Sequence, residues 1–152
     1  MPSFSKLEYD HRLNLVRARM EQVGFDVLLT SNPANMNYLT GYDGWSFYTP
    51  QLVAVSLTSN EPICIVCGID QPGGMVTIHL GPDNMVGYPD HYVQAEDKHP
   101  MDWVGDFLDK RGMGKYHIAV DMDAYYYSAR AYAALVAALP NATFVDSKNI
   151  VN

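Results

Sequence analysis

Residues 25–41 read Phe-Asp-Val-Leu-Leu-Thr-Ser-Asn-Pro-Ala-Asn-Met-Asn-Tyr-Leu-Thr-Gly, and this stretch decides the fold. Phe25 to Leu29 is apolar apart from Asp26 and reads as a short strand. Ser31-Asn32-Pro33 supplies a helix cap with proline just inside it. A short helix then runs to about Leu39 and stops at Gly41, where the chain can turn left-handed. The pattern is a buried strand feeding a capped helix, the unit from which α/β sheets are built.

Working outward toward the N-terminus, Ser5-Lys6-Leu7-Glu8 forms a possible capping box. Leu13, Val16, Met20 and Val23 follow at helical spacing, with Arg12, Arg17, Arg19 and Glu21 on the other face and Gly24 as the stop. Toward the C-terminus, Leu52 to Leu57 and Pro62 to Cys67 flank Thr58-Ser59-Asn60-Glu61 as a hairpin. Asp70 to Gly81 is ambiguous, because Pro72-Gly73-Gly74 opposes a long helix while Met75, Ile78 and His79 suit a short one. Met85 to Tyr88 is a brief strand. Pro100 begins a helix with Met101, Val104, Phe107 and Leu108 as its buried stripe. Tyr116 to Val120 is a strand, Ser128 to Leu139 a helix with Tyr132, Leu135, Val136 and Leu139 inward, and Ala142 to Val145 the last strand. Strands and helices alternate except at the hairpin. The expectation is one α/β domain over residues 1–152, with a mixed sheet covered by helices on both faces. Asp146-Ser147 looks like a cap for a further helix that Asn152 cuts short, as in a chain divided at a domain boundary.

Composition fits one packed domain. Of 152 residues, 48% are apolar and 18% charged, and the net charge is −7. That charge repels a phosphate backbone and an anionic lipid surface, so neither nucleic acid nor membrane is an expected partner. The first ten residues lack the apolar core of a signal peptide. Cys64 and Cys67 form a C-x-x-C, but within a strand three residues place the two thiols on opposite faces, beyond disulfide reach. Two free packing cysteines fit a cytoplasmic protein.

Few residues look chemical. His11, His79, His91, His99 and His117 show no metal-binding spacing, and single packing or surface roles suit them. Asp90-His91-Tyr92 lies in a loop, yet one Asp and one His do not fill a coordination shell. Asp121 and Asp123 follow a strand and could hold Mg²⁺, although a turn-and-cap role explains them more simply. There is no phosphate-binding loop and no nucleophile elbow. The outstanding stretch is Tyr42-Asp43-Gly44-Trp45-Ser46-Phe47-Tyr48. Four aromatics and an Asp in a loop can form a lid or cage over an organic cation, or the loop can tuck over the core or into a dimer interface.

Ser31-Asn32-Pro33-Ala34-Asn35-Met36-Asn37-Tyr38-Leu39-Thr40-Gly41-Tyr42 resembles the N-terminal domain of the creatinase, prolidase and aminopeptidase P superfamily, and the order of elements is similar along almost the whole chain. Gly41 to Tyr48, Gly87 to Gln94 and His99 to Asp102 look most like the ectoine hydrolase branch. The resemblance implies a ribonuclease H-like domain that supports dimerisation and a substrate site but performs no catalysis itself. It also implies a second domain in the same chain, with the pita-bread fold and a divalent metal (Mn, Zn, Co or Fe) on Asp, Asp, His, Glu and Glu. No stretch here matches that domain, so no catalytic or metal residue is assigned. Tyr42, Asp43, Trp45, Phe47, Tyr48, Asp90 and His91 are the candidates for a substrate-site edge or interface. A small-molecule or peptide substrate and a homodimer are the implied partners. The alternative is a free-standing binding or interaction module.

Overall fold

The computed structural model describes all 152 residues. Its strands are β1 (Val27–Thr30), β2 (Leu52–Ser56), β3 (Ile63–Cys67), β4 (Met85–Tyr88), β5 (His117–Val120) and β6 (Thr143–Asp146). Its helices are α1 (Lys6–Val23), α2 (Pro33–Thr40), α3 (Gln71–Thr77), α4 (Pro100–Lys110) and α5 (Ala129–Ala138). All six strands form one sheet in the order β4-β3-β2-β1-β5-β6. The meander β1-β2-β3 is antiparallel, while β5 and β6 run parallel to β1 and β4 runs parallel to β3. The expected mixed, ribonuclease H-like α/β sheet is therefore present.

Alternation along the strands divides the core into two layers. Val27, Leu29, Leu52, Ala54, Ile63, Ile65, Ile118 and Val120 point to the face covered by α4 and α5. Leu28, Val53, Val55, Cys64, Val66 and Ala119 point to the face covered by α1 and α2. Cys64 and Cys67 fall in different layers, as the odd spacing requires, and both are free. Helices α4 and α5 approach closely at Gly105, where a β-carbon would stand 2.4 Å from that of Ala138.

Three local expectations change. The Ser5 hydroxyl accepts from the Glu8 amide, but the Glu8 carboxylate turns to Arg12 Nε at 2.8 Å, so only half of the capping box forms. Val23 lies exposed beyond the stripe of Leu13, Val16 and Met20, and Tyr9 is buried in that stripe instead. Asp146-Ser147 begins a turn, because the Ser147 hydroxyl is drawn inward to Asp121 Oδ1 at 2.6 Å. The ambiguous segment resolves as the short α3, with Gly74 buried under Met85 and the Tyr42 ring.

Candidate functional site

Strand directions gather the candidates at one edge. The carboxyl ends of β1, β3, β4, β5 and β6 and the start of β2 all lie together there. Open α/β sheets place ligands at such an edge. The loop after α2, the turn after β4 and the segment after β5 meet at it.

Gly41 closes α2 with φ +77°, packed so closely on Tyr9 that its hydroxyl lies 2.8 Å from where a β-carbon would stand. The chain then separates the aromatic set. Tyr42 turns inward, 3% exposed, with its hydroxyl donating to Gln51 Oε1 at 3.3 Å. Burial raises its pKa, so it stays a neutral phenol. Trp45, Phe47 and Tyr48 turn outward and are 60%, 67% and 57% exposed. Their rings touch in sequence, Trp45 to Phe47 at 5.8 Å and Phe47 to Tyr48 at 5.4 Å between centroids.

A second aromatic segment meets this loop. Trp45 Nε1 donates to the Tyr126 hydroxyl at 3.1 Å, and the rings stand edge to face at 6.0 Å. Tyr125, 91% exposed, packs on Tyr126. Sequence reading passed over Tyr125-Tyr126-Tyr127. The usable signal was three consecutive tyrosines in the loop after a strand, between Val120 and the helix cap at Ser128.

Below Trp45, an open cavity of about 360 Å³ runs between the loop and α3. Asp43, Trp45, Ile69, Asp70 and Thr77 line it over a floor of Gly73 and Gly74, and no basic residue does. A second cavity of about 140 Å³ is lined by Tyr48, Tyr92, Lys98 and Arg130, among others. Asp90 and His91 occupy a short turn after β4. The Cys67 thiol and the Ile69 amide donate to Asp90 Oδ1 at 3.0 and 2.9 Å. Those two bonds hold the Asp90 carboxyl below the usual range, the thiol contact contributing most. Burial and the same contact push the Cys67 thiol up to about 11, so it is no nucleophile at neutral pH. His91 is exposed and leans on Tyr92.

The other chemical residues prove structural. Asp121 is buried, and its carboxylate accepts from the Thr30 hydroxyl, from the Ser31 amide at 3.1 Å and from the Ser147 hydroxyl. Three protein donors thus hold this carboxylate in a structural role at the strand end, and Asp123 faces solvent. His99 caps α4 through Nδ1, with Asp102 returning a bond to the His99 amide at 2.7 Å. His79 stacks on Tyr9 and His117 on Phe25. No three His, Cys, Asp or Glu side chains converge, so the residues present do not fit a metal centre. The Trp45 side of the edge offers an aromatic face beside the Asp43 and Asp70 carboxylates, a surface suited to an organic cation, whereas Lys98 and Arg130 line the Tyr48 side. No helix is long and apolar enough to cross a membrane.

Comparison with known proteins agrees with this architecture. The chain is 45% identical over 98% of its length to ectoine hydrolase of Halomonas elongata, of which it covers 37%. It is 41% identical over 98% of its length to an uncharacterised hydrolase/peptidase of Sinorhizobium fredii, covering 38% of it. The chain thus spans little more than a third of the curated relatives it matches. Among solved structures, it superposes on the creatinase/prolidase N-terminal domain of an X-Pro dipeptidase from Streptococcus pyogenes with TM-score 0.71 at 17% identity, covering 93% of this chain and 97% of that one. It superposes on a dipeptidase from Mycobacterium ulcerans with TM-score 0.70 at 18% identity, covering 97% of this chain and 36% of that one. The family model for the creatinase/prolidase N-terminal domain matches residues 12–152, and this chain belongs to that family.

Proposed function

We propose that this chain is the non-catalytic N-terminal domain of a metal-dependent C–N hydrolase of the ectoine hydrolase type, acting in dimerisation and at the rim of a substrate site. The observation that carries this reading is 45% identity spread over 98% of the chain against only 37% of ectoine hydrolase. The metal and its ligands belong to a catalytic domain beyond these residues, and the cytoplasm is its proposed compartment. In this reading the Trp45–Phe47–Tyr48 rim and the Asp43–Asp70 cavity face a small cyclic amidine that carries a carboxylate. Aromatic faces and unpaired carboxylates stabilise its cationic end. A second reading, an Xaa-Pro peptidase, draws on the hydrolase/peptidase relative and on the dipeptidase folds.

The test is a substrate panel of ectoine, Xaa-Pro dipeptides and creatine. It is run on the full-length protein with Mn²⁺, Zn²⁺, Co²⁺ or Fe²⁺, and on residues 1–152 alone. Ectoine turnover by the full-length protein and none by residues 1–152 is the expected result. Turnover of Xaa-Pro dipeptides alone would select the second reading. Hydrolysis by residues 1–152, or stoichiometric Zn²⁺ or Mn²⁺ retained on them after dialysis, would overturn both.

A further inference from the structure

The segment after β6 is built as an anchor. Arg19 on α1 reaches across 131 residues, and its Nη1 donates to the carbonyls of Ile150 and Val151 at 3.0 and 3.1 Å. A guanidinium with two carbonyl acceptors fixes a backbone path that a single bond would not. Lys148 and Asn149 both take positive φ, 49° and 56°. Asparagine tolerates that conformation, whereas a lysine holds it only where the surroundings favour it. Val151 is 6% exposed and packs into the α1 layer of the core. The Ser147 amide donates to the Val120 carbonyl at 2.8 Å, and its hydroxyl to Asp121.

Asp121 joins this anchor to the site edge. One carboxylate oxygen takes Ser147, and the other takes Thr30 and Ser31 at the entrance to α2. Helix α2 leads into the aromatic loop, and Asp121 itself begins the segment that carries Tyr125 and Tyr126.

We propose that Arg19 and Asp121 are positioning residues that clamp the turn 147–152 to α1 and to the site edge, so that the domain following Asn152 is held at a fixed orientation to the aromatic rim. The inference rests on the reading above, that a catalytic domain follows.

Hydrogen exchange on residues 1–152 tests the clamp without any activity. In the wild type, the amides of Ser147, Ile150 and Asn152 should be protected. Arg19→Gln should speed exchange at Ile150 and Asn152 at least tenfold, leave Val120 unchanged, and be partly rescued by Arg19→Lys. The full-length protein tests the consequence. There Arg19→Gln should lower kcat at least fivefold with KM within twofold, with metal content and melting temperature unchanged, and Arg19→Lys should restore part of kcat. Wild-type amides that exchange as in an unstructured peptide, or an Arg19→Gln variant with wild-type exchange, would overturn the clamp. Loosened exchange with unaltered kcat would overturn the orienting role. A wild-type full-length protein inactive on every substrate of the panel would overturn the underlying reading instead, leaving the exchange result to stand for the clamp.

Discussion

Trp45 is held by one hydrogen bond to Tyr126 and by ring contacts on a surface otherwise open to solvent. A large indole that stays exposed contributes little to folding, and in the proposed reading it lies at the substrate rim. In the full-length protein, Trp45→Ala should weaken kcat/KM by roughly 2- to 30-fold, the range for loss of one good cation–π contact. Sedimentation should find the assembly unchanged. Dissociation into subunits with normal kinetics would identify the rim as a dimer seam. A second residue-scale case is His79. Its Nε2 pairs with the Leu39 carbonyl, its Nδ1 is buried without a partner, and its ring stacks on Tyr9 at 4.2 Å. Burial, more than any nearby charge, lowers its proton affinity, and His99 is shifted the same way. The unfolded chain therefore binds these protons near the ordinary value of about 6.5 while the folded one resists them. Stability should be full above that value and fall as the pH drops through it. Melting temperatures between pH 7.5 and 5 should show the decline, and His79→Phe should make it shallower.

At the scale of elements, the α4–α5 layer depends on shape. Leu135 is fully buried beneath it, and Leu135→Ala should cost roughly 2–5 kcal/mol by opening a cavity. Gly105→Ala acts in the opposite sense. The added methyl meets the β-carbon of Ala138 at 2.4 Å, an atom that cannot swing away, so the helices must part. A loss of about 1–3 kcal/mol in urea titration is expected. The Leu135 stripe was legible because an apolar 3.6-residue period needs no knowledge of the partner. The Gly105 contact was not, because a glycine's role there exists only once α5 lies across it.

For the whole molecule, one sheet serves two cores. Each strand places neighbouring residues in opposite layers, as Leu28 and Leu29 do, so neither layer can melt while its strands stay paired. Calorimetry of residues 1–152 should give a single transition whose van't Hoff and calorimetric enthalpies agree. Leu13→Ala on one face and Leu135→Ala on the other should both lower that one midpoint. Two separate transitions would show the layers to be independent.

Much of this protein is local and hence readable in the chain. Apolar alternation, capped helix starts and Gly24 and Gly41 as stops mark nearly every element, because each depends on neighbours a few residues away. The opposed faces of Cys64 and Cys67 follow from strand geometry alone. The aromatic loop could be recognised as unusual by composition, and the resemblance to the creatinase/prolidase domain rested on contiguous residues. What only the tertiary structure decided depends on groups far apart in sequence. Tyr42 goes inward while Trp45, Phe47 and Tyr48 stay out, because α3 and Gln51 close over the first. Tyr126 joins the rim because parallel pairing of β1 and β5 sets their ends side by side. Asp121 becomes a buried clamp because Thr30, Ser31 and Ser147 deliver three donors to it. A carboxylate's role is set by which donors reach it, and separations of 26 to 91 residues carry no local signal of that meeting.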